Sequence, residues 1–164
     1  MGDTSMISHH PTVLLVREHE LLGSLLDAYQ DLSPGQVREK NDLFRKIQGE
    51  LRRHVATEET LFYPALLEST DPRIPKPVEE AFSQHRALES LAANLCRMGP
   101  GENFDLLMAL LRSKATSHME FEERNIFPLA WLLPSVSLKQ LGLEIEERQM
   151  HDGNGPADEG LETS

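Results

Sequence analysis

The sequence predicts an all-α fold: a four-helix bundle with a short C-terminal extra helix. Three observations predict it. Apolar residues recur at steps of three and four in four long stretches, and Pro, Gly or acidic turn residues separate those stretches. The β-branched, alternating runs of a sheet protein are missing. The 164 residues, 39% hydrophobic and only 5% aromatic, suit a single domain around one aliphatic core.

Residues 1–11 are polar and read as a flexible N-terminal segment, with His9 and His10 as tail residues rather than ligands. The bundle is expected over 12–150. Its first helix, about Thr12 to Asp31, carries Leu15, Leu22, Leu26 and Tyr29, with His19 filling the step between Leu15 and Leu22. Ser33-Pro34 offers an N-cap and a first-turn proline for the second helix. The seam of that helix is Phe44, Ile47, Leu51, His54, Glu58, Leu61 and Ala65. The proline-rich stretch from Ser69 to Pro77 is the clearest break in the chain. A third helix, about Val78 to Met98, presents Val78, Ala81, His85, Leu88, Ala92 and Leu95, and Gly99-Pro100-Gly101 stops it. A fourth, about Glu102 to Leu132, presents Phe104, Leu107, Leu111, Ala115, His118, Glu122, Ile126 and Leu129, with Pro134 at its exit. The extra helix, Ser135 to about Gln149, offers Leu138, Leu141 and Ile145 to the bundle. Residues 151–164, rich in Gly, Asp and Glu, read as a disordered acidic tail that includes His151.

A formal charge of −11, with Lys and Arg scattered, argues against nucleic acid and anionic membrane surfaces as partners. Cys96 is the single cysteine, so an intrachain disulfide and thiolate zinc sites are excluded. The stretch Met1 to Thr12 lacks the regions of a signal peptide, and no apolar run has the length of a membrane span. The expectation is a cytoplasmic protein. No Ser/His/Asp arrangement or Gly-rich phosphate loop supports hydrolase or kinase chemistry.

The most specific signal is a repeated frame. His54-Val-Ala-Thr-Glu58-Glu59 leads to Pro64, and His118-Met-Glu-Phe-Glu122-Glu123 leads to Pro128. Residues i and i+4 project from one helix face, so each frame aims an imidazole and a carboxylate at one point. His19 precedes the first frame and His85 the second at nearly equal gaps, which suggests a duplicated unit. All six side chains fall on core-facing steps. Burying a carboxylate without a partner costs several kcal/mol, on the order of the whole stability of a domain. A dication or two would turn that layer from a liability into an asset. A metal-free His–Glu hydrogen-bond network is the competing reading. Imidazole with carboxylate accepts Fe, Mn, Zn or Cu. Glu59 and Glu123 lie roughly 100° around the helix and read as solvated residues or as partners of ligand imidazoles. Pro64 and Pro128 should kink or end their helices beyond the carboxylates.

This set of residues resembles the hemerythrin-like, or HHE cation-binding, domain, over about Pro11 to Gln149. The resemblance implies an up-down-up-down four-helix bundle around two iron ions, which Zn or Mn could replace, with an oxo or hydroxo bridge. It implies Glu58 and Glu122 as bridging ligands and His19, His54, His85 and His118 as terminal ones. Oxygen-carrying members have a fifth histidine one turn after the first histidine of the third helix, where this chain has Glu89. Glu89 is therefore a candidate metal ligand, weighed against a surface role because Leu88 is better centred. Tyr63 reads as a packing residue within reach of the site once the chain turns at Pro64. The function implied is binding or sensing of O2 or NO, or handling of peroxide (H2O2), at an iron pair. One alternative is a catalase-like, peroxidase-like or ferroxidase enzyme in stress or iron homeostasis. The other is a protein-interaction module with a structural metal.

Overall fold

The computed structural model describes residues 9–99 and 101–153, and among them every regular element is helical. Four long rods form the bundle. They are α1 (Pro11–Gln30), α2 (Val37–Thr57) with its continuation, α4 (Pro75–Arg97) and α5 (Glu102–Asn125). The continuation of α2 is a π-helical turn, Glu58–Phe62, followed by the short α3, Tyr63–Leu67. A 3-10 segment, Phe127–Leu132, extends α5, and α6 (Ser135–Gly153) is the expected extra helix. α1 packs on α2, α4 on α5 and α1 on α5, while α6 lies across α1, α2 and the π-turn. The all-α bundle with a C-terminal extra helix is the architecture the periodicity implies. No helix of the described residues is long and apolar enough to cross a membrane.

The differences from expectation have local causes. His10 is not a loose tail residue. It caps α1, with Nδ1 accepting from the Thr12 N–H at 3.3 Å, and its buried ring stacks on Trp131 at 4.2 Å. His9 meets Glu146 of α6 at 3.0 Å. Residues 1–8 of the expected flexible segment lie outside the described residues. The second helix starts at Val37, later than Ser33-Pro34 suggests, because the Gln36 side chain folds back to accept from the Ser33 N–H at 2.9 Å and closes a turn there. At the other end α6 continues to Gly153, so 151–153 are helical, and the rest of the expected tail, 154–164, lies outside the described residues.

The seam of the second rod shifts by one residue after Glu58. Phe62 and Leu66 are fully buried where Leu61 and Ala65 were expected to face the core. Pro64 has no N–H for the helical ladder, and the Tyr63 N–H reaches back five residues to the Glu58 carbonyl. The widened turn advances the register and swings Tyr63 inward. The fourth rod responds to Pro128 in the opposite sense. Its α-helix ends at Asn125 and tightens into the 3-10 segment, so Phe127 and Ala130 are buried in place of Leu129. Earlier in that rod Met108, rather than Leu107, takes the core position.

Two apolar clusters fill the bundle. One includes Leu15, Phe62, Leu66, Ala81, Ile126 and Ile145, and the other Leu22, Ile47, Leu51, Leu88, Leu111 and Ala115. Between them, on every rod, comes a polar step: His19, His54 with Glu58, His85, and His118 with Glu122.

Candidate metal centre

The six polar side chains meet in that layer, each at most 4% exposed. Four of their contacts have the same length. His54 Nε2 and His85 Nε2 each lie 3.2 Å from Glu58 Oε2, and His19 Nε2 and His118 Nε2 each lie 3.2 Å from Glu122 Oε2. His85 Nε2 and His118 Nε2 are 3.0 Å apart. The rings of His19 and His54 are edge-to-face at 4.8 Å, and those of His85 and His118 at 4.6 Å. The histidines thus form two pairs, with the two carboxylates between them. Two overlapping quartets bring their ligand atoms within 4.8 Å of one another: His54, Glu58, His85 and His118, and His19, His54, Glu58 and Glu122.

The orientation of each ring is set from outside. His19 Nδ1 meets Glu123 Oε1 at 2.8 Å, His54 Nδ1 meets Glu18 Oε2 at 2.9 Å, and His85 Nδ1 meets Glu59 Oε1 at 2.9 Å. His118 Nδ1 meets Gln84 Oε1 at 3.0 Å, and the Gln84 amide is itself held by donating to Glu80 at 3.0 Å. Every outer partner is an acceptor, so each Nδ1 carries a proton, and a ring that is neutral then turns its Nε2 lone pair inward. The outer positions follow the duplication. Glu18 and Gln84 each precede the histidine of their own rod and orient a ring on the next one. Glu59 and Glu123, expected as solvated residues or as ring partners, take the second role.

Lone pairs facing one another and two carboxylates make a layer that needs cations. The inward atoms His19 Nε2, His54 Nε2, Glu58 Oε1 and Glu122 Oε2 are buried and meet no hydrogen-bond donor. A nitrogen-to-nitrogen approach of 3.0 Å between two acceptors is repulsive unless positive charge lies beside it. Burial pushes the Glu58 carboxyl well above the usual carboxylate range, and the charge of Glu122 adds to that. Burial acts the same way on Glu122, but His118 and His19 outweigh it and hold its carboxyl low. Burial, then the neighbouring His118, drives His85 down to about 3, and burial also lowers His54. At His19 burial acts downward too, yet Glu122 and Glu123 outweigh it and its pKa rises. Neutral imidazoles around carboxylates are the donor set that divalent transition metals take. The residues fit a metal ion, and a purely hydrogen-bonded network is a poor account of them.

Tyr63, expected as a packing residue, lies in the site. Its hydroxyl donates to Glu122 Oε1, lies 3.3 Å from Glu58 Oε2 and 3.4 Å from His85 Nε2, and its ring stacks on that of His85. Burial, then the charges of Glu58 and Glu122, raise its pKa and keep the phenol protonated while no cation offsets those charges. Glu89 is not brought into the layer. It is exposed and paired with Arg86 at 2.7 Å, because Leu88 takes the core-facing step of α4. His151 is exposed near the end of α6, apart from the cluster.

Comparison with known proteins gives a consistent picture. The chain resembles a crystal structure of a hemerythrin HHE cation binding domain-containing protein from Mycobacterium kansasii. The TM-score is 0.73 at 21% identity, over 85% of each chain, a likeness of fold. A comparison with curated proteins gives no match. The family model described as the hemerythrin HHE cation binding domain matches residues 10–130, which include all six residues of the layer. The chain belongs to the hemerythrin HHE cation-binding domain family.

Proposed function

We propose that the buried layer holds two iron ions and that the protein handles a small oxidant there: O2, NO or hydrogen peroxide. The observation that carries the reading is the convergence of four imidazole Nε2 atoms on two buried carboxylates, each of which has an oxygen that meets no donor. In this reading His19 and His54 would hold one ion, His85 and His118 the other, and Glu58 and Glu122 would be shared by both. Intrinsic affinity does not select iron over zinc or manganese, so the choice of iron rests on the family. When bound, an iron pair supplies exchangeable electrons and open positions for a small ligand.

The chain's own residues supply the rest. The outer ring holds each imidazole in one tautomer and one orientation. The two apolar clusters on either side keep bulk water out of the layer. Tyr63 keeps an O–H against Glu122 Oε1, beside His85, where it can lend and recover a proton. That hydroxyl favours peroxide turnover over simple carriage, since splitting peroxide requires protons to be moved inside the site. The proposal places the protein in the cytoplasm, where the free, exposed Cys96 stays reduced.

Aerobic reconstitution with Fe(II) should give two irons per chain and a charge-transfer band in the near ultraviolet. A colourless chain that keeps at most one loosely held iron would sink the reading. Added peroxide should then evolve oxygen rapidly, with the activity lost in Glu58→Ala and His118→Ala. Turnover no faster than free iron would reject the peroxide branch and leave binding of O2 or NO.

A further inference from the structure

The inner ring of ligands is closely symmetric about the duplication, and the outer ring is not. His19 and His54 are both backed by carboxylates, Glu123 and Glu18. Among the described residues neither carboxylate is in ion-pair contact with Lys or Arg. Arg17 and Arg53 line the cleft beside Glu18, but Arg53 is engaged by Glu50, and Glu18 instead accepts a neutral amide N–H from Gln149 at 2.7 Å. The other pair is backed differently. Glu59, behind His85, is clasped through both oxygens by Arg86 Nη2 at 2.7 Å. Gln84, behind His118, is uncharged.

A carboxylate that accepts from Nδ1–H makes the far nitrogen a stronger donor, and a neutral amide does so less. A carboxylate already matched by a guanidinium also has less to give. Their negative charge also attracts a cation directly, more from Glu18, which is 17% exposed, than from Glu123, which is 45% exposed and better screened. Both effects favour the His19/His54 position. Tyr63 increases the contrast, because its hydroxyl lies against the other pair, 3.4 Å from His85 Nε2.

We infer that the two cation positions are unequal: the His19/His54 position fills first and holds its ion more tightly, and the His85/His118 position is the second and exchangeable one. The inference rests on the two-ion reading above. It also gives α6 a role in the centre. Gln149 of α6 fixes Glu18, and the preceding Arg148 donates to Thr60 of the π-turn at 2.7 Å. Gly142 lets α6 seat against the start of α1, since a Cβ there would fall 2.0 Å from the His9 carbonyl oxygen. Gln149 is thus a positioning residue, acting on His54 through Glu18.

The test is calorimetric titration of the metal-free, full-length chain with Zn(II), with no activity required. The wild-type chain should bind two ions in two resolved steps, about 10-fold or more apart in affinity. Glu18→Gln, nearly isosteric, should weaken the first step by about 10–100-fold and leave the second little changed. Gln84→Glu should tighten the second step and narrow the gap. Gln149→Leu should weaken the first step to a lesser degree, with far-ultraviolet circular dichroism verifying that each variant is folded. Two ions bound with one affinity would overturn the inequality and leave the two-ion reading intact, as would a Glu18→Gln variant that weakens only the second step. One ion or none in the folded wild-type chain would overturn both.

Discussion

The two halves of the bundle carry the same His-x3-Glu-Glu-x4-Pro frame and treat its proline in opposite ways. After Glu58 the backbone widens into a π-turn before Pro64, and after Glu122 it ends and tightens into a 3-10 segment that contains Pro128. The residue before each proline then stacks on the histidine of the neighbouring half-unit's first rod. Tyr63 lies on His85 with ring centroids 5.6 Å apart, and Phe127 lies on His19 at 5.3 Å. Packing at these positions is nearly equivalent, yet one side brings a hydroxyl to the carboxylates and the other brings none. Repetition therefore supplies the geometry of the six-residue layer, and departures from it supply whatever distinguishes one end of the layer from the other.

Exchanging the two rings is the strongest way to break that comparison. Tyr63→Phe keeps the stack on His85 and removes the proton donor at Glu122. Peroxide turnover by the iron-loaded chain should fall on the order of 10²-fold, while iron content stays at the wild-type level. Phe127→Tyr should restore little of it in the Tyr63→Phe background, because the tightened turn differs from the widened one. Oxygen evolution and iron analysis on the single and double variants decide the matter. Unchanged turnover in Tyr63→Phe would reduce the hydroxyl to a structural contact.

How much of this was legible in the sequence follows the same division. The six inner residues were legible because helical spacing fixes them: the seam of each rod runs through them, and burial holds them there. Glu18 and Gln84 were missed because each sits off its own seam and acts on a neighbouring rod. The rotation of one helix against another is set by packing that a single rod's periodicity does not contain. Their equivalent places, immediately before His19 and His85, were the available signal. Periodicity alone makes Tyr63 a packing residue, because its place in the site depends on the π-turn, whose single-residue shift of register also moves the seam from Leu61 to Phe62. Glu89 was raised by the resemblance alone, and the periodicity that favoured Leu88 was the better guide. His10 was assigned to a tail on its polarity, although it stands immediately before a helix-starting proline, at a cap position.

A second experiment turns on the carboxylates, which are equivalent as proposed ligands but not as isolated acids. Without cations, burial and Glu122 push the Glu58 carboxyl up, while imidazoles hold Glu122 anionic. Glu58→Gln removes one member of a repelling buried pair. In chelated protein the variant should therefore be more stable than wild type, by about 1–2 kcal/mol. With metal the order should reverse, since a centre at a free ion concentration about 100 times its Kd adds about 2.7 kcal/mol that the variant largely forgoes. Urea unfolding with and without chelator reads both signs. A variant destabilised under both conditions would mean that the layer is held by hydrogen bonds rather than by cations.

The smallest expected effect lies at the far end of the bundle, where the halves also differ. Lys40 of α2 is buried at a register equivalent to that of Phe104 in α5, and its Nζ pairs with Asp105 at 2.8 Å. Tyr29 of α1 donates to the other oxygen of the same carboxylate at 2.7 Å. One acid of the second half thereby ties together two rods of the first. The Lys40 hydrogen bond leads in holding the Asp105 carboxyl below its usual range, against the opposing pull of burial, and Tyr29 adds to it. A carboxylate with a lowered folded pKa contributes stability that is complete above its unfolded value, about 3.9, and is lost as pH falls through the folded value. Asp105→Asn should therefore lower stability near neutral pH and flatten its decline in acid. The side chain is 41% exposed, so solvent screening keeps the effect to about 1 kcal/mol or less. The comparison is best made on metal-free protein, so that metal release on protonation of the buried layer does not dominate the profile. Wild type and Asp105→Asn should differ most above about pH 5 and converge below about pH 3. Parallel profiles across that range would show that the three-residue tie acts by shape alone, and that the charge of Asp105 does not contribute to joining the two halves.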